Sequence, residues 1–291
     1  MIERIPRLDV TKLLPVALIV MAALFGLGVR SHVFSAPGEP EQHYLGFDRN
    51  DYPGDEAMKL LRRGFAFTGY WLGNPPGEKT NTWSGRREML RSEGFGFVLL
   101  FAGPTSDQLR DDAYTRKRVA DDTEAAAAAA HREGFPPGSL IFLDIEEGGR
   151  LPLTYVTYLK LWASELGRLG FRAGVYCSGI PIDEGERVSL ITSDFIRDQI
   201  KPSELVYWVY NDSCPPSPGC KTAQDPPAPS ASGIGYAQIW QFVRSPRDKQ
   251  TARHCRGYAK DGNCYAPFDT AHKYHLDVDS ASSRDPSHAA K

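Results

Sequence analysis

Two acidic residues at the end of an apolar run form the part of this sequence best suited to chemistry. The wholly apolar run 140–143 leads into Asp144 and Glu146, and Glu147 follows them. Such a run is typical of a strand that is buried on both faces. Alternate residues of a strand point to the same side, so Asp144 and Glu146 should share a face. Carboxylates are costly to bury unless they are paired, so the pattern indicates a functional pair of acids.

Paired carboxylates of this kind can hydrolyse a glycosidic bond. One acid protonates the leaving oxygen, while a second carboxylate stabilises the developing positive charge, attacks, or activates water. Crowding of like charges raises at least one pKa, which keeps a proton available near neutral pH. Two other interpretations stay open: Asp-x-Glu at a strand end also binds Mg²⁺ or Ca²⁺, and such residues also form caps or ion pairs with arginines. Glu147 is expected to point outward as an exposed or helix-capping charge.

The elements that must position these acids follow a repeating pattern of apolar runs and amphipathic segments, which is typical of βα units. The predicted strands cover residues 44–48, 65–72, 95–103, 140–147, 172–179, 205–212, 236–243 and 274–279. The predicted helices cover residues 55–63 and 83–93, a long segment ending near Glu133, and residues 154–169 and 189–200. This pattern predicts an α/β fold, an irregular (β/α)8 TIM-type barrel in which loops replace the last helices.

A barrel of parallel strands gathers the carboxyl ends of its strands at one rim, where active sites are found. The predicted catalytic carboxylates are therefore Asp48, Asp144, Glu146 and Asp279. Asp279 is favoured over Asp277 for the rim, and Asp277 is retained as a substrate-binding residue. The other predicted substrate-binding residues are Tyr70, Tyr176, Trp208, Trp240 and Gln238. The four aromatic rings could form a floor on which sugars stack, or they could simply pack the barrel.

Composition and motifs exclude several other functions. The 291 residues carry a net charge of −2, and no basic stripe interleaved with aromatic residues is present, which argues against a nucleic-acid partner. No Gly-rich phosphate loop and no GxSxG elbow occurs. His272 and His275 would lie on opposite faces of a strand, so no metal site is expected from them. We expect a monomer without a cofactor.

The N-terminus has the pattern of an export signal. Residues 13–29 carry no charge and follow Arg4, Arg7 and Lys12, as an apolar h-region follows a positive n-region. The length lies between a cleaved signal peptide and a membrane anchor, so both stay open, and a buried core helix is the less favoured alternative. The predicted organisation is signal or anchor 1–36, linker 37–43, barrel 44–281 and disordered tail 282–291. The barrel would be secreted or held at the outer face of the cytoplasmic membrane.

The spacing of the cysteines agrees with export. Cys214 with Cys220, and Cys255 with Cys264, flank short loops and suit disulfides in an oxidising compartment. Neither pair has the CxxC spacing of a zinc site. Cys177 lies within an apolar strand and is expected to be a buried free thiol.

Several short motifs, in their order along the strands, resemble the family 25 glycoside hydrolases, which are lysozyme-type muramidases with an irregular barrel. The motifs are Gly46-Phe47-Asp48, Phe142-Leu143-Asp144-Ile145-Glu146, Gly174-Val175-Tyr176, Trp240-Gln241 and Asp277-Val278-Asp279. The Phe-x-x-Tyr-Trp-Leu segment at 67–72 is closer to a sister group, the bacterial glycoside-hydrolase-like domains first described as a domain of unknown function. The resemblance spans about residues 44–280. The segment between the sixth and eighth strands departs from the lysozyme pattern.

The resemblance implies roles for the carboxylates. Glu146 would be the general acid, and Asp144 would stabilise the transition state or orient an acetamido group of the substrate. Asp48 and Asp279 would be the carboxylates of the first and last strands. The implied substrate is peptidoglycan or a related cell-wall polysaccharide. The sister group also implies an alternative, a non-catalytic glycan-binding module on the same barrel.

Overall fold

The computed structural model describes residues 42–185, 188–211, 226–243, 274 and 276–290. The predicted export segment 1–36 and the two predicted cysteine pairs lie outside these residues. Across the described ranges, no helix is long and apolar enough to cross a membrane. Cys177 lies on a described strand and is a buried free thiol, as predicted.

Eight strands close into a barrel, which confirms the predicted α/β barrel architecture. The strands of the described chain are β1 (Tyr44–Asp48), β2 (Phe67–Trp71), β3 (Gly96–Ala102), β4 (Leu140–Asp144), β5 (Arg172–Ser178), β6 (Pro181–Asp183), β7 (Ser189–Ile191), β8 (Val206–Tyr210), β9 (Ile239–Val243) and β10 (Asp277–Ala281). The order around the barrel is β1-β10-β9-β8-β5-β4-β3-β2, while β6 and β7 form a separate hairpin.

The last strand, β10, runs in the opposite direction to its neighbours. It pairs antiparallel with both β1 and β9, whereas β1 with β2 and β8 with β9 are parallel. The sequence prediction assumed a parallel eighth strand, and this was wrong. An antiparallel neighbour needs no crossover helix, which fits the absence of a helical pattern before β10. We call the end of the barrel at which the parallel strands finish its mouth; β10 starts there.

Helices cover the outside of the barrel between the first strands. They are α1 (Asp55–Leu61), α2 (Arg87–Ser92), α3 (Asp112–Glu133), α4 (Leu153–Arg168) and α5 (Thr192–Gln199). The longest, α3, contains the alanine run, and its alanines at 126, 127, 129 and 130 are buried. The side chain of Asp111 caps its first turn, and Gly134 ends it in a left-handed conformation, because glycine adopts positive φ without a steric penalty.

The hairpin of β6 and β7 replaces the first turn of the helix predicted over 189–200, which begins at Thr192 instead. The hairpin is tied to the loop that follows β4. The Glu184 carboxylate accepts hydrogen bonds from the Arg150 backbone N–H at 2.6 Å and from Arg150 Nε at 3.2 Å. Thr192 Oγ1 accepts one from the Gly149 N–H at 2.8 Å. The loop that carries Glu146 is therefore held at its far end.

Residues 282–290 form a hydrogen-bonded segment at the end of the barrel opposite the mouth, where a disordered tail was predicted. Ser287 lies between the starts of β3 and β4. Its N–H donates to Phe97 O at 2.8 Å, its carbonyl accepts from the Leu140 N–H at 2.9 Å, and its Oγ accepts from the Leu99 N–H at 2.9 Å. The polar composition of the segment suggested disorder, but its polar groups complete the hydrogen bonding of two core strands.

Candidate active site

A single tyrosine hydroxyl inside the barrel lies near four carboxylates from three chain segments. Tyr176 is on β5, and burial raises the pKa of its hydroxyl well above the ordinary value. The negative charges that raise this pKa further belong to Asp48, Asp144, Glu146 and Asp277. We call these four acids the carboxylate cluster: Asp48 is linked to Tyr176 through Gln241, Asp144 is the register partner of Tyr176, and Asp277 is the register partner of Asp48.

Hydrogen bonds join Tyr176 to the first strand. The Tyr176 hydroxyl donates to Gln241 Oε1 at 2.9 Å, and Gln241 Nε2 donates to Asp48 Oδ2 at 2.9 Å. Gln241 is on β9 and is buried. The glutamine thus spans the interior between β5 and β1 and orients the Asp48 carboxylate.

Asp279 lies deeper in the barrel than Asp48 and is fully buried. Trp208 Nε1 donates to Asp279 Oδ1 at 3.1 Å. The pKa of Asp279 is well above its usual range; burial is the largest cause, followed by the charges of Asp48 and Asp277 and a hydrogen bond with Asp48. A contact between two buried carboxyl groups is favourable only if one of them holds a proton.

The direction of β10 decides which aspartate reaches the mouth. In the register with β1, Asp277 is opposite Asp48 and Asp279 is opposite Gly46. Since β1 ends at the mouth and β10 begins there, Asp277 lies at the rim and Asp279 lies one pleat further inside. The sequence prediction favoured Asp279 for the rim, and the antiparallel pairing reverses that order.

Glycines in β1 and β2 make room for the cluster. A Cβ atom on Gly69 would come within 2.7 Å of the Asp48 Cβ, and one on Gly46 would come within 2.1 Å of the Phe67 ring. Both distances are shorter than any ordinary carbon contact. These positions therefore require glycine so that Asp48 and Phe67 can turn into the barrel.

Asp144 and Glu146 occupy different kinds of position. Asp144 is the last residue of β4, is buried, and pairs in register with Tyr176. Glu146 lies beyond the strand end and is exposed to solvent. The position of Glu146 is therefore set by the loop after β4 and not by the strand alternation that the sequence prediction used.

Glu147 turns away from the cluster, as the sequence predicted. Its carboxylate accepts hydrogen bonds from the Ser106 N–H at 2.8 Å and from the Ser106 hydroxyl. Ser106 is the first residue of a short 3-10 helix, so Glu147 caps that helix and ties it to the loop after β4.

A family model described as "Rv2525c-like, glycoside hydrolase-like domain" matches residues 58–213, which is more than half of the chain. The chain belongs to this family. No curated protein matches the chain at a significant level.

Solved structures with a related barrel show low sequence identity to this Rv2525c-like domain. The Tat-secreted protein Rv2525c of Mycobacterium tuberculosis, in complex with L-tartrate, is 16% identical over 86% of this chain and 100% of its own, with a TM-score of 0.49. GHIP of Streptococcus pneumoniae, a glycosyl hydrolase 25, is 11% identical over 81% and 86%, with a TM-score of 0.49. A sugar phosphate isomerase/epimerase from Parabacteroides distasonis is 10% identical over 80% and 99%, with a TM-score of 0.51. The similarity to this last structure shows the barrel fold alone.

Two of the predicted aromatic residues of the Rv2525c-like domain lie outside the barrel interior. The Tyr70 hydroxyl donates to Glu133 Oε2 at 2.5 Å, beneath α3. Trp240 Nε1 donates to the Asn211 carbonyl at 2.8 Å, and the Trp240 ring packs against Phe242. Successive side chains of a strand point to opposite faces, and both residues are on the face opposite to the cluster. The prediction that they line the cleft was therefore wrong.

Gln238 also lies away from the cluster. It is exposed and precedes β9, at the end of the barrel opposite the mouth. Gln241, three residues later, makes the contacts instead. The signal that could have identified it is its position near the carboxyl end of a parallel strand, where side chains reach the mouth.

Tyr176 and Trp208, two of the predicted aromatic residues, do lie in the interior. Their ring centroids are 4.8 Å apart, and the Tyr210 ring lies 5.4 Å from that of Tyr176. Trp208 is almost completely buried, whereas Tyr210 is half-buried. Tyr210 is therefore the ring of this group that is best placed to contact a ligand.

In the ranges that the structure describes, no group of three or more His, Cys, Asp and Glu side chains is arranged to hold a metal ion. The polar groups at the mouth are carboxylates, a hydroxyl and an amide, and three of them, on Tyr176, Gln241 and Asp48, are joined by hydrogen bonds. What these groups can do is supply and stabilise charge through proton transfer.

Proposed function

We propose that the chain is an exported glycoside hydrolase that acts on peptidoglycan or a related cell-wall polysaccharide through carboxylate general acid/base catalysis. The observation that carries the proposal is the carboxylate cluster around Tyr176 at the mouth of the barrel. Hydrolysis of a glycosidic bond needs two carboxyl groups of different protonation, and crowded carboxylates provide that difference. Membership in the glycoside hydrolase-like family supports the same chemistry.

The two acids of the loop after β4 take the central roles. Glu146 is exposed and can approach the leaving oxygen of a bound glycan, so it is the general acid. Asp144 is held at the strand end and serves as its partner, stabilising the transition state or orienting an acetamido group. A general acid placed in this way contributes about 10²–10⁴ in rate.

The carboxylates of β1 and β10 divide into an outer and an inner set. Asp48 and Asp277 face each other at the mouth and can contact the substrate. Asp279 is fully buried and acts on the site through its neighbours. This division assigns Asp277 to the rim position for which Asp279 was first predicted.

Export follows from the N-terminal pattern of residues 1–36 and from the two cysteine pairs of the sequence. A positive n-region followed by an apolar segment directs a chain across the cytoplasmic membrane. A cell-wall glycan is accessible only on that side. The place of action and the class of substrate are therefore consistent with each other.

The purified full-length chain, incubated with peptidoglycan, should release reducing ends. Glu146→Gln removes the proton donor and should lower the rate by about 10²-fold or more. Glu124→Gln is the matched control, because Glu124 is exposed on α3 outside the cluster. Thermal melting of both variants should match the parent protein. Undiminished turnover by Glu146→Gln would overturn the assignment of the acid.

The half-buried ring of Tyr210 favours a second candidate function, glycan binding without cleavage. Aromatic rings bind sugars by offering apolar area with little conformational entropy to lose. In this case the chain would sediment with insoluble peptidoglycan and release no reducing ends. Tyr210→Ala would weaken the sedimentation, and Glu146→Gln would leave it unchanged. Product release by the parent protein would exclude this candidate.

A further inference from the structure

We propose that Gln241 and Asp279 are positioning residues that hold Asp48 as a permanently ionised carboxylate, with the shared proton resident on Asp279. The inference deepens the proposed function, and its bearing on catalysis rests on that function. It assigns Asp48 the fixed negative charge of the cleft. It also assigns a role to Asp279, a buried acid that no substrate can reach.

The strand register places the three side chains in a row. Asp279 on β10 is opposite Gly46 on one side and opposite Gln241 on the other. Asp48 is two residues beyond Gly46 on the same face of β1. Asp48 is therefore the diagonal neighbour of Asp279 on the same face of the sheet.

The chemistry of the partners determines the direction of each hydrogen bond at Gln241. The amide NH₂ of Gln241 faces Asp48 Oδ2, and an amide nitrogen can only donate. The amide oxygen then faces Tyr176, whose hydroxyl donates to it. This direction is the one that stabilises the ionised form of Asp48, because a donor is aimed at its oxygen.

The inner carboxyl group has the opposite requirement. Trp208 Nε1 can only donate, so it bonds to an unprotonated oxygen of Asp279, Oδ1. If both aspartates were ionised, Asp279 Oδ2 would be buried with no donor among the described residues. A proton on Oδ2 that is donated to Asp48 removes this cost. Complete burial favours the neutral form of Asp279 as well.

The charged and titratable groups around Asp48 and Asp279 are consistent with an ionised Asp48 and a protonated Asp279. Asp277 faces Asp48 from the neighbouring strand β10, and Tyr176 on β5 is linked to Asp48 across the interior through Gln241. Asp144 is the register partner of Tyr176 on β4, and Glu146 follows it in the next loop. The carboxylates among these described groups add negative charge near the pair. The proton is best placed on the member of the pair that water cannot reach, and the charge on the member at the mouth.

Infrared spectroscopy of the full-length chain tests the proton position without any need for activity. The parent protein should show the C=O stretch of a buried protonated carboxyl group at neutral pH. Asp279→Asn should remove this band, because the Asn amide can donate to Asp48 and accept from Trp208 as the neutral acid does. Asp277→Asn is the matched control on the same strand and should keep the band. A parent spectrum without the band, or a band that persists in Asp279→Asn, would overturn the inference.

A second variant covers the case in which Asp279→Asn does not fold. Trp208→Phe removes the donor that favours ionised Asp279. The protonated carboxyl band should then persist to a higher pH than in the parent protein. A band that disappears at the same pH or at a lower one would contradict the placement of the proton on Asp279.

Gln241→Glu separates the positioning role from a merely structural one. A carboxyl group at 241 cannot donate to Asp48 unless it is protonated, so a second protonated carboxyl band should appear at neutral pH. If the parent protein cleaves glycan, kcat should fall by up to about 10²-fold with KM little changed, because the charge is misplaced rather than the substrate lost. An unchanged spectrum and an unchanged kcat would refute the role of Gln241. A parent protein without turnover would remove the catalytic readout alone, and the spectra would still decide the inference.

Discussion

Asp48 on β1 lies directly opposite Asp277 on β10, at the point where one strand ends and the other begins. The two residues are far apart in the chain, yet the antiparallel pairing brings both carboxylates to the mouth of the barrel. A parallel last strand would have carried Asp279 to the rim and left Asp277 below it. The direction of one strand therefore determines which acids lie at the mouth, where Asp48 and Asp277 keep 8% and 6% of their exposure, and which acid is fully buried.

The sealed acid should make the stability of the protein depend on pH. The pKa of Asp279 is raised in the folded state, so the folded chain binds more protons than the unfolded chain between the unfolded pKa, about 3.9, and the higher folded pKa. The free energy of unfolding should then fall as pH rises through this window. Asp279→Asn should remove this part of the slope and be the more stable protein at pH 8, as measured by urea denaturation from pH 4 to 8. Glu124→Gln should keep the parent slope, and a slope unchanged in Asp279→Asn would count against a neutral Asp279.

The cap formed by Glu147 should contribute measurably to stability. Glu147→Ala removes the acceptor for the Ser106 N–H and hydroxyl, and the loss of such a cap costs about 1 kcal/mol. Urea denaturation should show this decrease in the free energy of unfolding. Glu124→Ala, on an exposed helix surface, should change it by less than about 0.5 kcal/mol. Equal effects of the two substitutions would mean that the cap has no energetic role.

The C-terminal segment should be part of the folded barrel. Ser287→Ala leaves the Leu99 N–H without its acceptor in a buried position, which costs about 1–3 kcal/mol. Ser282→Ala is the control, because Ser282 is exposed. Thermal melting compares the two variants. A melting temperature of Ser287→Ala equal to that of the control would indicate that the segment is dispensable.

The space beside Asp48 should not accept a methyl group. Gly69→Ala would place a Cβ atom 2.7 Å from the Asp48 Cβ, and overpacking of this kind costs about 1–3 kcal/mol. Gly167→Ala offers a control of opposite sign. Gly167 is on α4 with open space around it, and a helical Gly→Ala change stabilises by about 0.5–1 kcal/mol. Chemical denaturation of both variants checks the two signs, and a neutral Gly69→Ala would show that Asp48 can move aside.

Much of the barrel could be predicted because its strands are short apolar runs separated by clear helices. The predicted β1 matches residue for residue, and β4 and β5 begin where predicted. The hairpin of β6 and β7 was missed because two three-residue strands are too short to show an alternating pattern. The C-terminal segment was missed because its hydrogen bonds go to strands far away in the sequence.

The candidate site was predicted only in part, because a local pattern does not show which side chains face the interior. Alternation along a strand shows that Tyr70 and Trp71 point to opposite faces, but it does not show which face is inside. In the structure Tyr70 faces α3, and Trp71 Nε1 donates to the Arg49 carbonyl at the end of β1. Gln241 gives no catalytic signal through its residue type, and only its position near the carboxyl end of a parallel strand points to the mouth.

The sequence by itself determined the kind of fold, the order of the strands and the strand ends that carry carboxylates, because these depend on local apolar patterns and on residue type. Only the tertiary structure decided how those carboxylates are used. The pairing of β10 with β1 placed Asp277 at the mouth and Asp279 inside, and burial then divided them into an outer charge and an inner acid. Strand direction and burial depend on contacts between segments that are distant in the chain, and no local pattern contains them.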